Sequence, residues 1–485
     1  MHEIVTLQLG HCANYLATHF WNTQQSYFTY GEDTEPTPID HDVHFRAGIG
    51  AEGIETYTPR ALIYDLKGGF GTMKKINALY DIDEGQRDKN RAAIWNDNVI
   101  VQKEPEIEVH PYINSLELGT KPPPLTTDSV RYWSDFNTLY YHPRSIVQLY
   151  QYAVNSTVSP FEDYTDGREL FNSIDKEYDV LDRDIRYFAE ECDQMQGIQI
   201  FTTTDDGWGG FASEYVLALR EEYPKTELWT WGIERGEKVP MGKRISRAVA
   251  LANTLSALVP LSSIYVPLVS PPINILKFIE MDSTSQWHRS AFISTAIETV
   301  SLQTRMKANA KLADLSATLN PSGSRNISLI SMTLPTGSTL AGENDWRHGS
   351  MTDSAHVADL SWTGNRPEKH LFSSIMVSRG IMEVDSRPRK SEEYAISQRR
   401  DFHTKLAYPI LDSFPNIFVG RKDSLSVVSS LRTSSAATET LRRIRDTVLH
   451  YAPLDDRENL YNELSGFSSA YEEGWDSGSD SGEDY

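Results

Sequence analysis

Three glycines between a short apolar run and a helical pattern mark the stretch of the sequence best suited to chemistry. The stretch covers residues 202–210, after the apolar run at 198–201 and before a helix predicted over residues 211–223. A strand, a glycine loop and a helix N-terminus together bind phosphate in many proteins, because free backbone N–H groups and the positive end of the helix dipole point into the loop. The pattern therefore raises the hypothesis of a phosphate site.

The same stretch contains residues that oppose a bound phosphate. Asp205 and Asp206 place two negative charges where the anion would lie, and Trp208 adds bulk where a close backbone approach requires glycine. We therefore favour a tight turn that packs a helix on a sheet, and we keep a working phosphate site as the alternative.

The surrounding sequence predicts the elements that would position this stretch. Apolar residues at three- and four-residue steps predict an amphipathic helix over residues 181–195, which ends before Gly197. Strands are predicted at residues 4–9, 60–66, 227–233 and 263–268, and the first of them turns at Gly10 into a helix. Further helices are predicted at residues 146–152, 244–258 and 287–303.

The last third of the sequence predicts a second region of strands. It begins at residues 325–334 and continues at residues 371–377. Residues 424–440 are rich in serine and threonine, and we expect them to be mobile. Short helices are predicted at residues 440–450 and 457–464.

Composition restricts the class of protein. A chain of 485 residues corresponds to two or three domains, since single domains usually have about 100–200 residues. A net charge of −22 argues against nucleic-acid binding and against electrostatic attachment to anionic lipid. Cys12 and Cys192, the two cysteines, support neither a disulfide framework nor a zinc site. No signal peptide, transit peptide or membrane-length apolar run is visible, so we expect a protein on the cytosolic side.

Three segments, in the right order, resemble signatures of tubulin. Residues 2–14 resemble its first strand and phosphate loop, residues 59–66 resemble another signature, and residues 180–224 resemble the helix leading into its glycine-rich nucleotide loop. The likeness fades over residues 80–124, which look like a family-specific replacement. With this pattern the chain is identified as a member of the Misato family, a divergent tubulin/FtsZ-like family whose fungal members are described as mitochondrial inheritance proteins.

The resemblance implies an α/β fold. It consists of a tubulin/FtsZ-like parallel sheet with helices on both faces, followed by a smaller α+β domain and C-terminal helices. The implied division is a Misato-type N-terminal tubulin-like segment at residues 1–115, a tubulin-like domain with a degenerate nucleotide site at 116–310, and the second domain with the C-terminal helices at 320–470. The acidic, Gly- and Ser-rich residues 471–485 predict a disordered tail.

The resemblance also implies a vestigial nucleotide site. Its cofactor-binding residues would be Gly10, His11, Cys12, Gly207, Gly209, Gly210 and Trp287. Lys67 stands where tubulin has a magnesium-linked glutamate, and Ala317 stands in place of a hydrolytic acid, although Asp314 matches a second acid. Leu251 and Ala291 replace residues that contact the ribose and the base. We therefore expect no catalytic residue, no metal and no cofactor, with GTP as the alternative cofactor.

The expected function follows from the family. The resemblance implies a non-catalytic protein that takes part in the partitioning and inheritance of mitochondria and mitochondrial DNA, and in mitochondrial distribution and morphology, as a scaffold or assembly partner. The expected partners are proteins, among them tubulin and cytoskeletal or chaperone components, and not nucleic acid. We expect a peripheral position on the cytosolic side of the mitochondrion and in the cytoplasm, without a transmembrane segment. The alternative is a polymerising, GTP-binding tubulin-like GTPase.

Overall fold

The computed structural model describes most of the chain. The described residues are 2–29, 37–49, 55–75, 77, 107–237, 239–272, 279–307, 310–334, 357–362, 370–380, 398–420 and 423–472. Their strands are β1 (Ile4–Leu9), β2 (Phe45–Ile49), β3 (Glu55–Pro59), β4 (Ala61–Lys67), β5 (Ile146–Ala153), β6 (Gly197–Thr203), β7 (Glu227–Arg235), β8 (Ile264–Ser270), β9 (Leu329–Thr333), β10 (Val357–Asp359), β11 (Leu371–Arg379), β12 (Gln398–Thr404), β13 (Tyr408–Pro409), β14 (Ser424–Leu425) and β15 (Val427–Ser434).

A six-stranded parallel sheet forms the centre of the N-terminal part. Its order is β5-β4-β1-β6-β7-β8, and each neighbouring pair runs parallel. In the middle of the sheet, Leu7 pairs with Leu62 on one side and Ile200 on the other. Every residue of β1 and β6 is buried, as expected for a parallel sheet covered on both faces. The predicted α/β fold is confirmed.

Helices cover both faces of this sheet. The α-helices of the described residues are α1 (His11–Ser26), α2 (Pro111–Glu117), α3 (Tyr164–Tyr178), α4 (Arg186–Glu190), α5 (Gly207–Glu222), α6 (Met241–Leu261), α7 (Gln286–Ser301), α8 (Leu312–Leu319), α9 (Ala436–Tyr451) and α10 (Leu454–Ala470). Apolar residues of α1 and α7 join the core on one face, and those of α3, α5 and α6 join the core on the other. The C-terminal helices α9 and α10 pack on α6.

A second sheet, with the order β10-β9-β15-β11-β12, packs against α7. Its central strand is β15, so the expectation that residues 424–440 are mobile is wrong. Two hydroxyl groups of β15 find partners inside the protein: Ser430 Oγ lies 2.9 Å from Ser331 Oγ, and Thr433 Oγ1 donates to the carbonyl oxygen of Leu319 at 2.9 Å. Polar composition predicted a loop, whereas pairing on both sides of the strand allows these residues to be buried.

Two other predictions differ from the structure in the type or length of the element. Residues 146–152, predicted as a helix, form the edge strand β5, in which Ile146 pairs with Ile63 and Leu149 pairs with Leu66. A short apolar run cannot be assigned to a helix or a strand by its periodicity alone. Here the pairing with β4 makes it a strand. The C-terminal helices α9 and α10 are longer than predicted, and Pro453 immediately precedes α10.

The helix predicted over residues 181–195 is shorter and less regular. Residues Leu181–Ile185 form a turn of π-helix that continues into α4, and α4 ends at Glu190. Gly197 does not end the helix; it opens β6. The unusual turn directs Asp184 to the buried hydroxyl of Tyr64, which donates a short hydrogen bond to its carboxylate.

A buried ion cluster joins α1, α7 and the second sheet. The carboxylate of Glu298 on α7 contacts the guanidinium of Arg305 at 2.8 Å and that of Arg379 on β11, while the hydroxyl of Tyr27 donates to it at 2.9 Å. The side chains of Glu298 and Arg379 are fully buried, and that of Arg305 is 1% exposed. Glu298 is therefore the acidic centre of a contact that ties three elements together.

The last described turn of the chain belongs to the core. Tyr471, the first residue of the predicted tail, is 1% exposed, and its hydroxyl accepts from the backbone N–H of Ile327 at 2.7 Å. The folded part thus extends through Tyr471, while residues 473–485 of the predicted tail lie outside the described residues.

Candidate functional site

The candidate nucleotide site lies where two neighbouring parallel strands end and two helices begin. Strands β1 and β6 pair side by side, and α1 and α5 begin just after them, at His11 and Gly207. The structure thereby brings Gly10, His11 and Cys12 close to the glycines of residues 207–210. The predicted glycine loop is wrong, since Gly207, Gly209 and Gly210 form the first turn of α5 itself.

Gly210 is required by helix packing and not by an open loop. A Cβ atom at this position would lie 1.9 Å from the carbonyl oxygen of Tyr164 at the start of α3. No side chain fits at such a distance, so glycine permits α3 and α5 to approach closely. The position of Gly210 supports the interpretation favoured from the sequence, in which these glycines allow close packing and do not bind phosphate.

Trp208 covers the backbone of Gly10. Gly10 has a φ of +92°, and a Cβ atom there would lie 2.5 Å from Nε1 of the Trp208 indole. The indole is 4% exposed and packs edge-to-face on Phe161 and Phe211, with ring centroids 5.4 Å and 5.6 Å away. An aromatic side chain thus occupies the space directly above the first loop.

Asp206 satisfies the N-terminus of α5 from within the chain. Its Oδ1 accepts the backbone N–H of Trp208 at 3.0 Å and the hydroxyl of Thr203 at 2.7 Å. A carboxylate at a helix N-cap satisfies the free N–H groups and complements the helix dipole. Asp206 therefore supplies the negative charge that a phosphate would supply at this helix.

A network of arginines and acids surrounds the two aspartates. Arg235 Nε lies 3.2 Å from Asp205 Oδ1, and its Nη1 lies 3.5 Å from Asp206 Oδ2. Arg247 reaches Asp205 at 3.8 Å and Glu237 at 3.8 Å, and Arg289 reaches Glu237 at 2.9 Å. Three cations and three acids therefore balance one another.

The arginines of this network were not predicted from the sequence. Arg235 ends β7, the strand beside β6, and the carboxyl ends of neighbouring parallel strands share one edge of the sheet. This shared edge could have indicated that Arg235 lies close to Asp205 and Asp206, because the two aspartates follow β6 there.

The network changes the acidity of buried groups. Burial, together with nearby Asp206, raises the pKa of Asp205 to about 6 in spite of Arg235. Burial also raises the pKa of Glu234 to about 8, although the Trp362 indole N–H donates to this carboxyl. The pKa of the Cys12 thiol rises to about 12 through burial, so Cys12 is a poor nucleophile.

Asp65 makes its contacts to groups of the protein. Its Oδ2 accepts from Asn14 Nδ2 at 2.9 Å and from the Trp133 indole N–H at 3.0 Å, and it lies 3.5 Å from His11 Nδ1. Lys67, at the end of the same strand, is exposed. In the described part of the chain, no group of three or more His, Cys, Asp or Glu residues has an arrangement that would hold a metal ion.

The other predicted positions lie on or in the core. Trp287 is 3% exposed, and its indole N–H donates to the carbonyl oxygen of Ser413 at 3.2 Å, so its ring is a core element of α7. Leu251 and Ala291 are buried. Asp314 accepts the backbone N–H of Lys311 at the start of α8, and Ala317 is exposed on that helix.

Comparisons with known proteins give the family. The model of a tubulin domain matches residues 122–306, and the model of the Misato Segment II tubulin-like domain matches residues 2–118. Protein dml-1 of Neurospora crassa is 42% identical to the chain, and the alignment covers 100% of both. The chain belongs to the Misato family of tubulin-like proteins.

Other relatives extend this result. Protein dml1 of Aspergillus niger is 42% identical to this Misato-family protein, and protein DML1 of Yarrowia lipolytica is 29% identical, each over 100% of both chains. Residues 80–124, which resemble tubulin least, overlap the end of the Misato Segment II match at residue 118. Among the described helices of this Misato-family protein, none is both long and apolar enough to cross a membrane.

Proposed function

We propose that this Misato-family protein is non-catalytic and takes part in the partitioning and inheritance of mitochondria and mitochondrial DNA, and in mitochondrial distribution and morphology. It acts as a scaffold or assembly partner for proteins such as tubulin and cytoskeletal or chaperone components. It works on the cytosolic side of the mitochondrion, as a peripheral protein, and in the cytoplasm. Membership of the family supports the role, because its fungal members are described as mitochondrial inheritance proteins.

One observation carries the non-catalytic part of this proposal. The Trp208 indole lies on Gly10, and Asp206 already caps the helix at which a phosphate would bind. An entering triphosphate would have to displace a buried aromatic ring and compete with Asp206, which already accepts the N–H group at the start of α5 and is paired with Arg235. The residues of the vestigial site, Gly10, His11, Cys12, Gly207, Gly209, Gly210 and Trp287, then serve the fold.

A titration tests this directly. We expect purified protein to give no binding heat with GTP and Mg²⁺ by isothermal calorimetry, and the Asp205→Gly, Asp206→Gly double variant to give none either, since Trp208 still covers Gly10. Glycine is a tolerated N-cap, but the double variant also leaves Arg235 and Arg247 without the two aspartates, so circular dichroism must first show that it is folded. Micromolar binding by the unaltered protein would show that the site accepts nucleotide.

The cellular role has its own test. Depletion of the protein from dividing fungal cells is expected to produce daughter cells with too few mitochondria and too little mitochondrial DNA, counted by microscopy and quantitative amplification. The double variant should restore inheritance as well as the unaltered protein does, because the proposed role uses no nucleotide. Normal inheritance after complete depletion would contradict the role.

The alternative function is a polymerising GTP-binding GTPase, and one observation favours it. The N-terminus of α1 follows Gly10 and has no side-chain cap, so its first N–H groups keep the capacity to bind an anion. Filaments that sediment only with GTP would support this alternative.

A further inference from the structure

A groove of about 700 Å³ runs along the outer edge of the six-stranded sheet. Phe70, Met73 and Lys75 line it after β4, and Ile146, Val147, Gln148 and Tyr150 line it on β5. Arg144 lies at one end, and the π-helical turn adds Asp182, Arg183 and Asp184. The volume lies within the range of ligand sites in proteins, about 300–1,000 Å³.

The groove follows the edge of β5 and not one of its faces. Consecutive side chains of a strand point to opposite faces, so a groove that contacts Ile146, Val147 and Gln148 in succession must pass along the strand's side. Within the described residues, β5 pairs only with β4 and is the last strand of the sheet. Its outer side therefore presents backbone N–H and C=O groups that an added strand can pair.

The charges of the groove favour an acidic occupant. Arg183 neutralises Asp184 through two contacts of 2.7 Å and 2.6 Å, and Asp182 is paired with Arg186. Lys75 and Arg144 are exposed, and neither has an acidic partner among the described residues. The guanidinium of Arg144 lies over the ring of Tyr187, 4.5 Å from its centroid, which holds it at the end of the groove. In the part of the chain that the structure describes, two cations without an acidic partner thus lie at the last strand of the sheet, in a protein whose net charge is −22.

Apolar surface beside these cations offers places for alternate side chains. Phe70 and Ile146 are buried at the bottom of the groove, while Tyr150 is 73% exposed on its wall. A strand added at an edge directs successive side chains to the two faces of the sheet. A peptide that alternates acidic and apolar residues would therefore offer side chains of both kinds to the groove, which is lined by apolar residues and by Lys75 and Arg144.

We propose that this edge of the sheet binds an extended acidic segment of a partner protein by strand addition to β5. Backbone pairing supplies most of the affinity, and the two cations select acidic sequences and accelerate association. This inference goes beyond the scaffold role, because it names the edge that binds a partner and the kind of segment that it binds. Its test is independent of the GTP titration, which concerns a different site.

The test uses the full-length protein and a fluorescein-labelled peptide of alternating glutamate and valine, followed by fluorescence anisotropy. We expect saturable binding that weakens with added salt and that a peptide of alternating lysine and valine does not show. The variants Arg144→Glu and Lys75→Glu should each weaken binding about tenfold, since each reverses one exposed charge. Absence of saturable binding to the acidic peptide would overturn the proposal.

Two controls separate strand addition from general attraction. Lys225→Glu reverses an exposed charge before β7, which β4, β1 and β6 separate from β5, and it should leave the affinity unchanged. The same acidic peptide with a methyl group on every backbone nitrogen cannot donate to a strand ladder from either edge and should not bind. Equal loss of affinity in Lys225→Glu and Arg144→Glu, or full binding of the methylated peptide, would overturn the proposal.

Discussion

Replacing Glu298 by glutamine is expected to lower the free energy of unfolding by about 3–5 kcal/mol, because it leaves two buried arginines without their shared acid. Arg305 and Arg379 remain in place in this variant, and both are tied to backbone carbonyl oxygens that keep them inside. Glutamine has nearly the shape of glutamate, so the loss reports on charge and hydrogen bonding and not on volume. Urea unfolding at neutral pH, followed by circular dichroism, measures the difference.

The pH dependence of this loss has a defined sign. Burial alone would raise the pKa of Glu298, but Arg379 and Arg305 outweigh it and hold that pKa below its ordinary value of 4.5. The ionised carboxylate therefore stabilises the folded state above pH 4.5, and the contribution disappears as the pH falls through the lowered value. The difference between the two proteins should shrink below pH 4.5.

A matched control uses another glutamate. Glu222 lies exposed at the end of α5, and Glu222→Gln should change the free energy of unfolding by no more than about 0.5 kcal/mol. If Glu298→Gln proves as mild as this control, the buried cluster contributes little and the proposed link between layers is wrong.

Replacing Trp208 by alanine is expected to lower the free energy of unfolding by about 3–5 kcal/mol, through lost apolar contact and the cavity left behind. The ring lies between Gly10, Phe161 and Phe211, and helices on that face of the sheet leave it almost no solvent contact. Leu217→Ala, at a residue of the same helix that is 42% exposed, should cost much less in the same urea experiment.

A second substitution tests where the indole lies. Gly10→Ala should be severely destabilising in the unaltered protein, because its Cβ atom would lie 2.5 Å from the indole nitrogen and its φ of +92° disfavours alanine. In the Trp208→Ala background only the backbone strain remains, roughly 1–3 kcal/mol. Additive costs in this double-mutant cycle would contradict direct contact between the two residues.

The parallel sheet could be predicted largely from its sequence because its strands are buried on both sides. Residues 4–9, 198–201 and 263–268 are short apolar runs, and the structure forms β1, β6 and β8 at these places. The edge strand β5 has fewer buried residues, and its pattern was mistaken for a helix. The burial of β15 was not predicted, because Ser430 and Thr433 find their partners at Ser331 and Leu319, far away in sequence.

The candidate site, too, was predicted only in part from the sequence. Local sequence identified Asp205, Asp206 and Trp208 as obstacles to phosphate, and the structure places all three at the junction of β6 and α5. Local sequence did not reveal that Asp206 caps this helix, that the indole reaches Gly10, or that Arg235 and Arg247 balance the acids. Each of these contacts depends on how strands and helices distant in sequence meet.

The closing of the core by the end of the chain has a consequence for biosynthesis. One apolar cluster contains Val5 and Leu7 of the first strand together with Leu464 and Tyr471 of the last described turns. At about 5–20 residues per second, a ribosome needs roughly half a minute to a minute and a half for this chain, and α6 receives its covering helices α9 and α10 only at the end of that time. We therefore expect the apolar residues of α6 that contact α9 and α10 to stay exposed on the nascent protein until translation ends.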